Sequence, residues 1–129
     1  MANLTLKNLH VENFAFAFYL ETSVTEDDIG KAVTADTSAN MTMKLAGDGD
    51  VVMGFLDTFE DRGDFKIGAV QLKGGFAFKY EGTAPTLGNG IVGSATAGLV
   101  KDTGAAATAG QPIIFNVDTA KSEVEVVLG

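Results

Sequence analysis

The sequence Phe14-Ala15-Phe16-Ala17-Phe18 places a large apolar side chain at every second position, with alanine between. Two further stretches also alternate: Phe-Ala-Phe-Lys-Tyr over Phe76–Tyr80, and Glu-Val-Glu-Val-Val-Leu over Glu123–Leu128. A period of two sends successive side chains to opposite faces, which is typical of half-buried β-strands. These stretches predict a fold built from strands.

The remaining sequence favours many short strands joined by turns. Sixteen of the 129 residues are glycine, well above the usual share of about 7%, and glycine suits tight turns. The pattern predicts an all-β fold, a compact β-barrel or β-sandwich of about nine to eleven short strands. We expect one β-domain over residues 13–129, preceded by an extended N-terminal arm over residues 1–12. The predicted strands are Asn13–Leu20, Ala32–Ala35, Met41–Leu45, Val51–Leu56, Phe65–Leu72, Phe76–Tyr80, Ile91–Ala95, Gly98–Val100, Pro112–Val117 and Ser122–Leu128.

Three connections have local signals of their own. Lys73-Gly74-Gly75 lies between two alternating stretches and predicts a tight hairpin turn. The stretch Asp102–Gly110, rich in Ala, Thr and Gly without a helical period, predicts a loop. Thr25-Glu26-Asp27-Asp28 has the pattern of a helix start, which Gly30 limits to a single turn.

Charge and composition narrow the classes of partner. The net charge of −8 repels phosphate backbones and anionic lipids, so we expect neither nucleic-acid nor membrane binding. The 19 residues 82–100 carry no charge, but Pro85, Asn89 and five glycines indicate turns and short strands, not a membrane span. The first 20 residues lack the unbroken apolar stretch of a signal peptide.

The side chains that commonly carry out reactions are scarce. The chain has no cysteine and one histidine, His10, and none of its serines lies in a Gly-x-Ser-x-Gly motif. No phosphate-binding glycine motif is present. We therefore expect no enzymatic activity, no catalytic residue and no cofactor.

Two short motifs have a simpler interpretation as turns. Asp48-Gly49-Asp50 could contribute ligands to a calcium ion, but it lacks the twelve-residue calcium loop, so we assign no metal site and leave calcium open. Arg62-Gly63-Asp64 spells an adhesion tripeptide, and glycine between charged residues is also ordinary turn chemistry.

The positive signal is an excess of apolar side chains near the N-terminus. The strand Asn13–Leu20 is apolar on both faces, which indicates a central position or cover by a neighbouring molecule. A terminal arm becomes ordered when something holds it. The predicted capsid or subunit interface comprises Leu4, Leu6, Leu9, Val11, Phe14, Phe16 and Phe18.

From Asp28 onward, the chain resembles the capsid decoration, or cement, proteins of tailed bacteriophages. The resemblance lies in four stretches: Ile29-Gly30-Lys31-Ala32-Val33, the segment Gly68–Phe76, the segment Ile91–Ala95 and the final strand Val124–Leu128. The segment 41–62 has no clear counterpart in that family.

The resemblance implies a structural virion protein with a β-barrel or β-sandwich body. Such a protein is made in the host cytoplasm, binds the major capsid protein on the outer surface of the head at capsomer junctions, and stabilises the capsid. It also implies self-association as a homotrimer or homodimer and contacts through an N-terminal arm. The alternative is a carbohydrate- or receptor-binding β-module of a tail or surface appendage. The absence of tryptophan, with only Tyr19 and Tyr80 as tyrosines, counts against that alternative.

Overall fold

The computed structural model describes residues 14–128, and these residues form an almost entirely β structure. Its ten strands confirm the predicted all-β class and strand number. The strands are β1 Phe14–Leu20, β2 Ala32–Ala35, β3 Thr42–Leu45, β4 Gly54–Leu56, β5 Glu60–Asp61, β6 Lys66–Lys79, β7 Asn89–Gly93, β8 Val100–Ala106, β9 Ile113–Asp118 and β10 Glu123–Leu128. A single 3₁₀ turn, Glu26–Asp28, confirms the one-turn helix expected before Gly30.

Five strands close into a small barrel in the order β1-β3-β2-β4-β6, with β6 pairing back to β1. Strand β1 runs parallel to β3, where Leu20 lies opposite Met43, and antiparallel to β6. The short strand β5 pairs with the start of β6, outside this closed path. Closure leaves few exposed strand edges at this end of the molecule. The barrel alternative of the predicted fold is therefore confirmed.

The remaining strands form a second, antiparallel sheet in the order β6-β10-β9-β7-β8. Strand β6 is 14 residues long and belongs to both the barrel and the second sheet. Its first half pairs with β1 and β4, and its second half, Gly74–Lys79, pairs with β10. A bridge between Tyr80 and Val100 brings β8 back to the end of β6.

The hairpin predicted at Lys73-Gly74-Gly75 is wrong. Gly74 and Gly75 lie inside β6, opposite Leu128 and Val127 of β10. Gly74 has φ of 125°, a conformation that side chains rarely adopt, so glycine lets the strand change partners without a turn. The side-chain alternation continues through both glycines, so Val70 and Phe76 keep the same parity along the strand.

The loop predicted over Asp102–Gly110 is also partly wrong, because its first half extends β8. Strand β8 pairs antiparallel with β7, with Asp102 opposite Ile91. The Asp102 carboxylate accepts hydrogen bonds from the backbone N–H of Thr86 at 2.7 Å and of Gly104 at 2.6 Å. Since β8 is an edge strand in which only Val100 is buried, it lacks the apolar alternation that reveals a strand.

Two groups of buried side chains form the core. Leu20, Val24, Val33, Met43, Leu56 and Val70 fill the barrel. The larger group lies under the second sheet and includes Phe76, Phe78, Ile91, Ile114, Val124 and Val126. The Phe55 ring of the barrel stacks on Phe76, with ring centres 4.9 Å apart, and so fastens one layer to the other. Within residues 14–128, no helix is long and apolar enough to cross a membrane.

Candidate functional site

Strand β1 presents part of the predicted interface at the surface. Phe16 is 51% exposed, whereas Phe18 is half-buried against the barrel core. Their rings meet edge to face with centres 6.4 Å apart. Phe14 begins the strand opposite Lys73. The other predicted residues, Leu4, Leu6, Leu9 and Val11, lie outside the described residues.

Phe18 lines an apolar groove at one end of the barrel, which we call the barrel-end groove. The groove has a volume of about 280 Å³. Its lining residues are Phe18, Ala35, Asp36, Ala39, Met41, Thr42, Met43, Met53 and Leu72. Met41 and Met53 are both exposed, and methionine adapts its unbranched side chain to irregular partner surfaces. The groove therefore suits an apolar side chain of a partner.

Met41 is held in a strained conformation at the rim of this groove. Its φ of 54° lies in the left-handed region, which costs a bulky residue about 1–3 kcal/mol. The Met41 carbonyl accepts a hydrogen bond of 2.8 Å from the Tyr19 backbone N–H, which ties this residue to β1. The side chain is nevertheless 60% exposed. The fold thus holds the apolar Met41 side chain in contact with solvent, beside the exposed part of β1.

Asp36 is the one charged residue among those that line the groove. Its carboxylate accepts hydrogen bonds from the Ser38 hydroxyl at 2.6 Å and from the Ser38 backbone N–H at 3.0 Å. The Ser38 hydroxyl, followed by the backbone bond, lowers the pKa of Asp36. This carboxylate remains ionised near neutral pH, so the groove offers one negative charge at an otherwise apolar rim.

The Asp48-Gly49-Asp50 turn is held by contacts within the chain. Asp48 forms an ion pair of 2.6 Å with Lys101, and Asp50 accepts a hydrogen bond of 2.9 Å from the Gly47 backbone N–H. In the described part of the chain, no three His, Cys, Asp or Glu side chains are grouped as a metal site would require. His10 lies outside that part.

The Arg62-Gly63-Asp64 motif forms the turn between β5 and β6. The Arg62 guanidinium pairs with Glu60 through two contacts of 3.0 and 3.1 Å. The Gly63 backbone N–H donates to the Asp61 carboxylate at 2.9 Å, and Gly63 has a φ of 86°. The contacts of Arg62 and Gly63 hold this turn, which agrees with the interpretation of the motif as ordinary turn chemistry.

Ser94 is a buried serine whose hydroxyl contacts the Glu81 carboxylate. The Ser94 hydroxyl donates to Glu81 at 2.6 Å, and the Thr96 backbone N–H and hydroxyl donate to the same carboxylate at 2.7 and 2.8 Å. The Ser94 hydroxyl and the two Thr96 bonds lower the pKa of Glu81. A carboxylate stabilised in its ionised form is a poor base, so this network serves to hold the turn after β7.

The barrel-end groove joins residues that are distant in the sequence. The sequence indicated Phe16 and Phe18, but Met53 and Leu72 reach the same surface only through β4 and β6. The sign of the groove that the sequence offers is the pair Met41 and Met43, two methionines separated by one polar residue. The structure buries Met43 in the core and leaves Met41 at the rim of the groove.

Comparison with protein-family models, curated proteins and solved structures yields no match for this chain.

Proposed function

We propose that this chain is a capsid decoration protein of a tailed bacteriophage, bound to the major capsid protein on the outer surface of the head. The observation that carries the proposal is the exposed apolar surface formed by Phe16 and the barrel-end groove. This surface adjoins the first described residues, and the arm with Leu4, Leu6, Leu9 and Val11 precedes it in the sequence. Exposed aromatic and methionine side chains around a groove are typical of protein-binding surfaces.

The rest of the molecule suits a part that reinforces a lattice. The closed barrel and the shared strand β6 make a body with few free edges, which resists unwanted pairing between copies. The net charge of −8 keeps free copies apart before they dock. Many copies with modest contacts would stabilise a capsid collectively, and self-association would add avidity.

Co-sedimentation with expanded, undecorated phage heads tests this proposal. Docking that buries the exposed half of Phe16 removes about 100 Å² from water, worth about 2.5 kcal/mol. We therefore expect Phe16→Asp to weaken capsid binding by at least about 70-fold. Leu87→Asp is the matched control, since Leu87 is also exposed but belongs neither to β1 nor to the lining of the barrel-end groove.

Deletion of residues 1–11 tests the arm separately. We expect the shortened chain to keep its β fold in circular dichroism but to lose capsid binding. Capsid occupancy equal to that of the full chain would remove the arm from the proposal. Equal occupancy for Phe16→Asp and the Leu87→Asp control would remove the groove surface.

One observation favours a second candidate, a carbohydrate- or receptor-binding module. Tyr19 and Phe65 are both exposed and meet edge to face with ring centres 5.4 Å apart. Exposed aromatic rings are suitable platforms for sugars. Specific binding on a glycan array, abolished by Tyr19→Ala, would favour this candidate over capsid binding.

A further inference from the structure

The outer face of the second sheet carries an apolar patch that the barrel-end groove does not include. Ile113 and Phe115 of β9 and Val127 of β10 are all exposed. Ile113 lies directly opposite Val127 in the sheet, so their side chains share one face. We call Ile113, Phe115 and Val127 the outer-sheet patch.

A β-bulge makes Phe115 the most prominent residue of this patch. The register of β9 and β10 shifts so that Asn116 lies opposite Glu125 and Ile114 lies opposite Val126. Phe115, between them, has no residue opposite on β10, and bulges of this kind redirect a side chain. Phe115 is 55% exposed, although its neighbour Ile114 is buried in the core.

A groove lies beside this aromatic ring. Its volume is about 550 Å³, the patch forms one side, and residues 107–111 form the other. That second side consists of small or short residues, Ala107, Thr108, Ala109 and Gly110, followed by Gln111. The Gln111 side chain accepts a hydrogen bond of 3.0 Å from the Thr108 backbone N–H, which shapes this wall. The same surface therefore holds both a projecting aromatic ring and a recess with short walls.

Charge distinguishes this region from the rest of the protein. The chain has a net charge of −8, yet none of the residues that line this groove is charged. On β10, beside Val127, the Glu125 carboxylate is buried and accepts a hydrogen bond of 2.7 Å from Asn116. Between Gly82 and Val117 the only charged residues are Lys101 and Asp102. Lys101 pairs with Asp48, and Asp102 accepts hydrogen bonds from Asn89, Thr86 and Gly104. A neutral surface lowers the electrostatic repulsion that opposes contact between two copies of an acidic protein.

We propose that the outer-sheet patch binds a second copy of this chain in a two-fold symmetric contact. In such a contact the same surface serves both partners, so a ring and a recess on one surface can fit each other twice. Phe115 of each copy occupies the groove beside residues 107–111 of the other. This inference does not depend on capsid binding, because the barrel-end groove takes no part in it.

The oligomeric state in solution tests the proposal. Light scattering after size-exclusion chromatography, from about 1 to about 300 µM, should give twice the 13.4 kDa mass of one chain at the upper concentrations. Phe115→Asp should raise the dimer dissociation constant at least about a hundredfold, since each dimer loses two central anchors. Phe16 lies on the barrel and is exposed to a similar extent as Phe115. The Phe16→Asp variant should remain dimeric.

Cross-linking tests the geometry independently, because the natural chain contains no cysteine. An Ile113→Cys copy, which keeps the Phe115 anchor, and a differently tagged Ala109→Cys copy, mixed and mildly oxidised, should form a disulfide-linked mixed dimer. A wild-type mass of one chain at every concentration would overturn the proposal. Failure of the mixed pair to cross-link would overturn the two-fold arrangement. Phe115→Asp and Phe16→Asp separate the two proposals, since each should impair only one of dimerisation and capsid binding.

Discussion

Replacing Gly93 by alanine should weaken the contact between β7 and the 46–51 segment that joins β3 to β4, and so destabilise the fold. Gly93 ends β7, where its backbone N–H donates to the Asp50 carbonyl at 2.8 Å and its carbonyl accepts from the Gly49 N–H at 2.9 Å. A Cβ atom at position 93 would overlap the Gly47 carbonyl oxygen, which is backbone and cannot rotate away. Gly93→Ala must therefore displace the 46–51 segment and, with it, break both hydrogen bonds.

The expected cost follows from these contacts. Overpacking a close-packed site costs about 1–3 kcal/mol, and each of two lost backbone hydrogen bonds costs about 1 kcal/mol. We expect Gly93→Ala to lower the free energy of unfolding by about 3–5 kcal/mol. At about 4 °C per kcal/mol for a domain of this size, Tm should fall by about 12–20 °C.

Gly47→Ala provides a matched control on the other side of the same contact. A Cβ atom there would lie 3.4 Å from the Asp50 carboxylate, an ordinary contact, and Gly47 has no positive φ. Its cost should stay within about 1 kcal/mol. Urea and thermal unfolding followed by circular dichroism measure both variants. A Gly93→Ala variant no less stable than Gly47→Ala would contradict the close approach of Gly93 to the Gly47 carbonyl.

Two further perturbations test how the loops are held. Lys66 donates hydrogen bonds to the Thr22 carbonyl and, at 2.6 Å, to the Val24 carbonyl, so Lys66→Met should cost about 1–3 kcal/mol in urea unfolding, chiefly by leaving the part-buried Val24 carbonyl unpaired; a stability equal to wild type would contradict this role. The pKa of Glu81 is lowered in the folded state, so its ionised carboxylate contributes to the free energy of unfolding. This contribution is complete above the unfolded pKa of about 4 and is lost as the pH falls further. Glu81→Gln should therefore be less stable than wild type at pH 7, and the difference should narrow by about pH 3; an unchanged difference across this range would show that ionisation of Glu81 does not stabilise the fold.

Alternation along the chain was sufficient to predict the fold class, because a strand with one buried face carries apolar side chains at every second position. The strand Ala32–Ala35 was predicted with its observed bounds. The hairpin at Gly74 and Gly75 was wrong for a physical reason: two glycines between alternating stretches are equally suited to a turn and to a strand that changes partners. Distant strands, β1 and β10, decide between these outcomes.

The candidate site could be predicted only in part. Phe16 and Phe18 stand out because they alternate with alanine, a pattern visible within five residues. Met53 and Leu72 carry no local sign of exposure, and their place at the groove depends on the pairing of β4 and β6 with the rest of the barrel. Phe115 depends on a bulge, and a one-residue shift in register is a property of two strands together.

The position of β10 imposes an order on the folding of this protein during its synthesis at the ribosome. Every strand of the barrel lies between Phe14 and Lys79, so the barrel can assemble while the remainder is still being translated. The second sheet must wait, because β10 is the last described strand to be synthesised and yet lies in the middle, between β6 and β9. Until then half of β6 has no partner, and a nascent chain halted before Glu123 would offer that bare edge to chaperones and proteases.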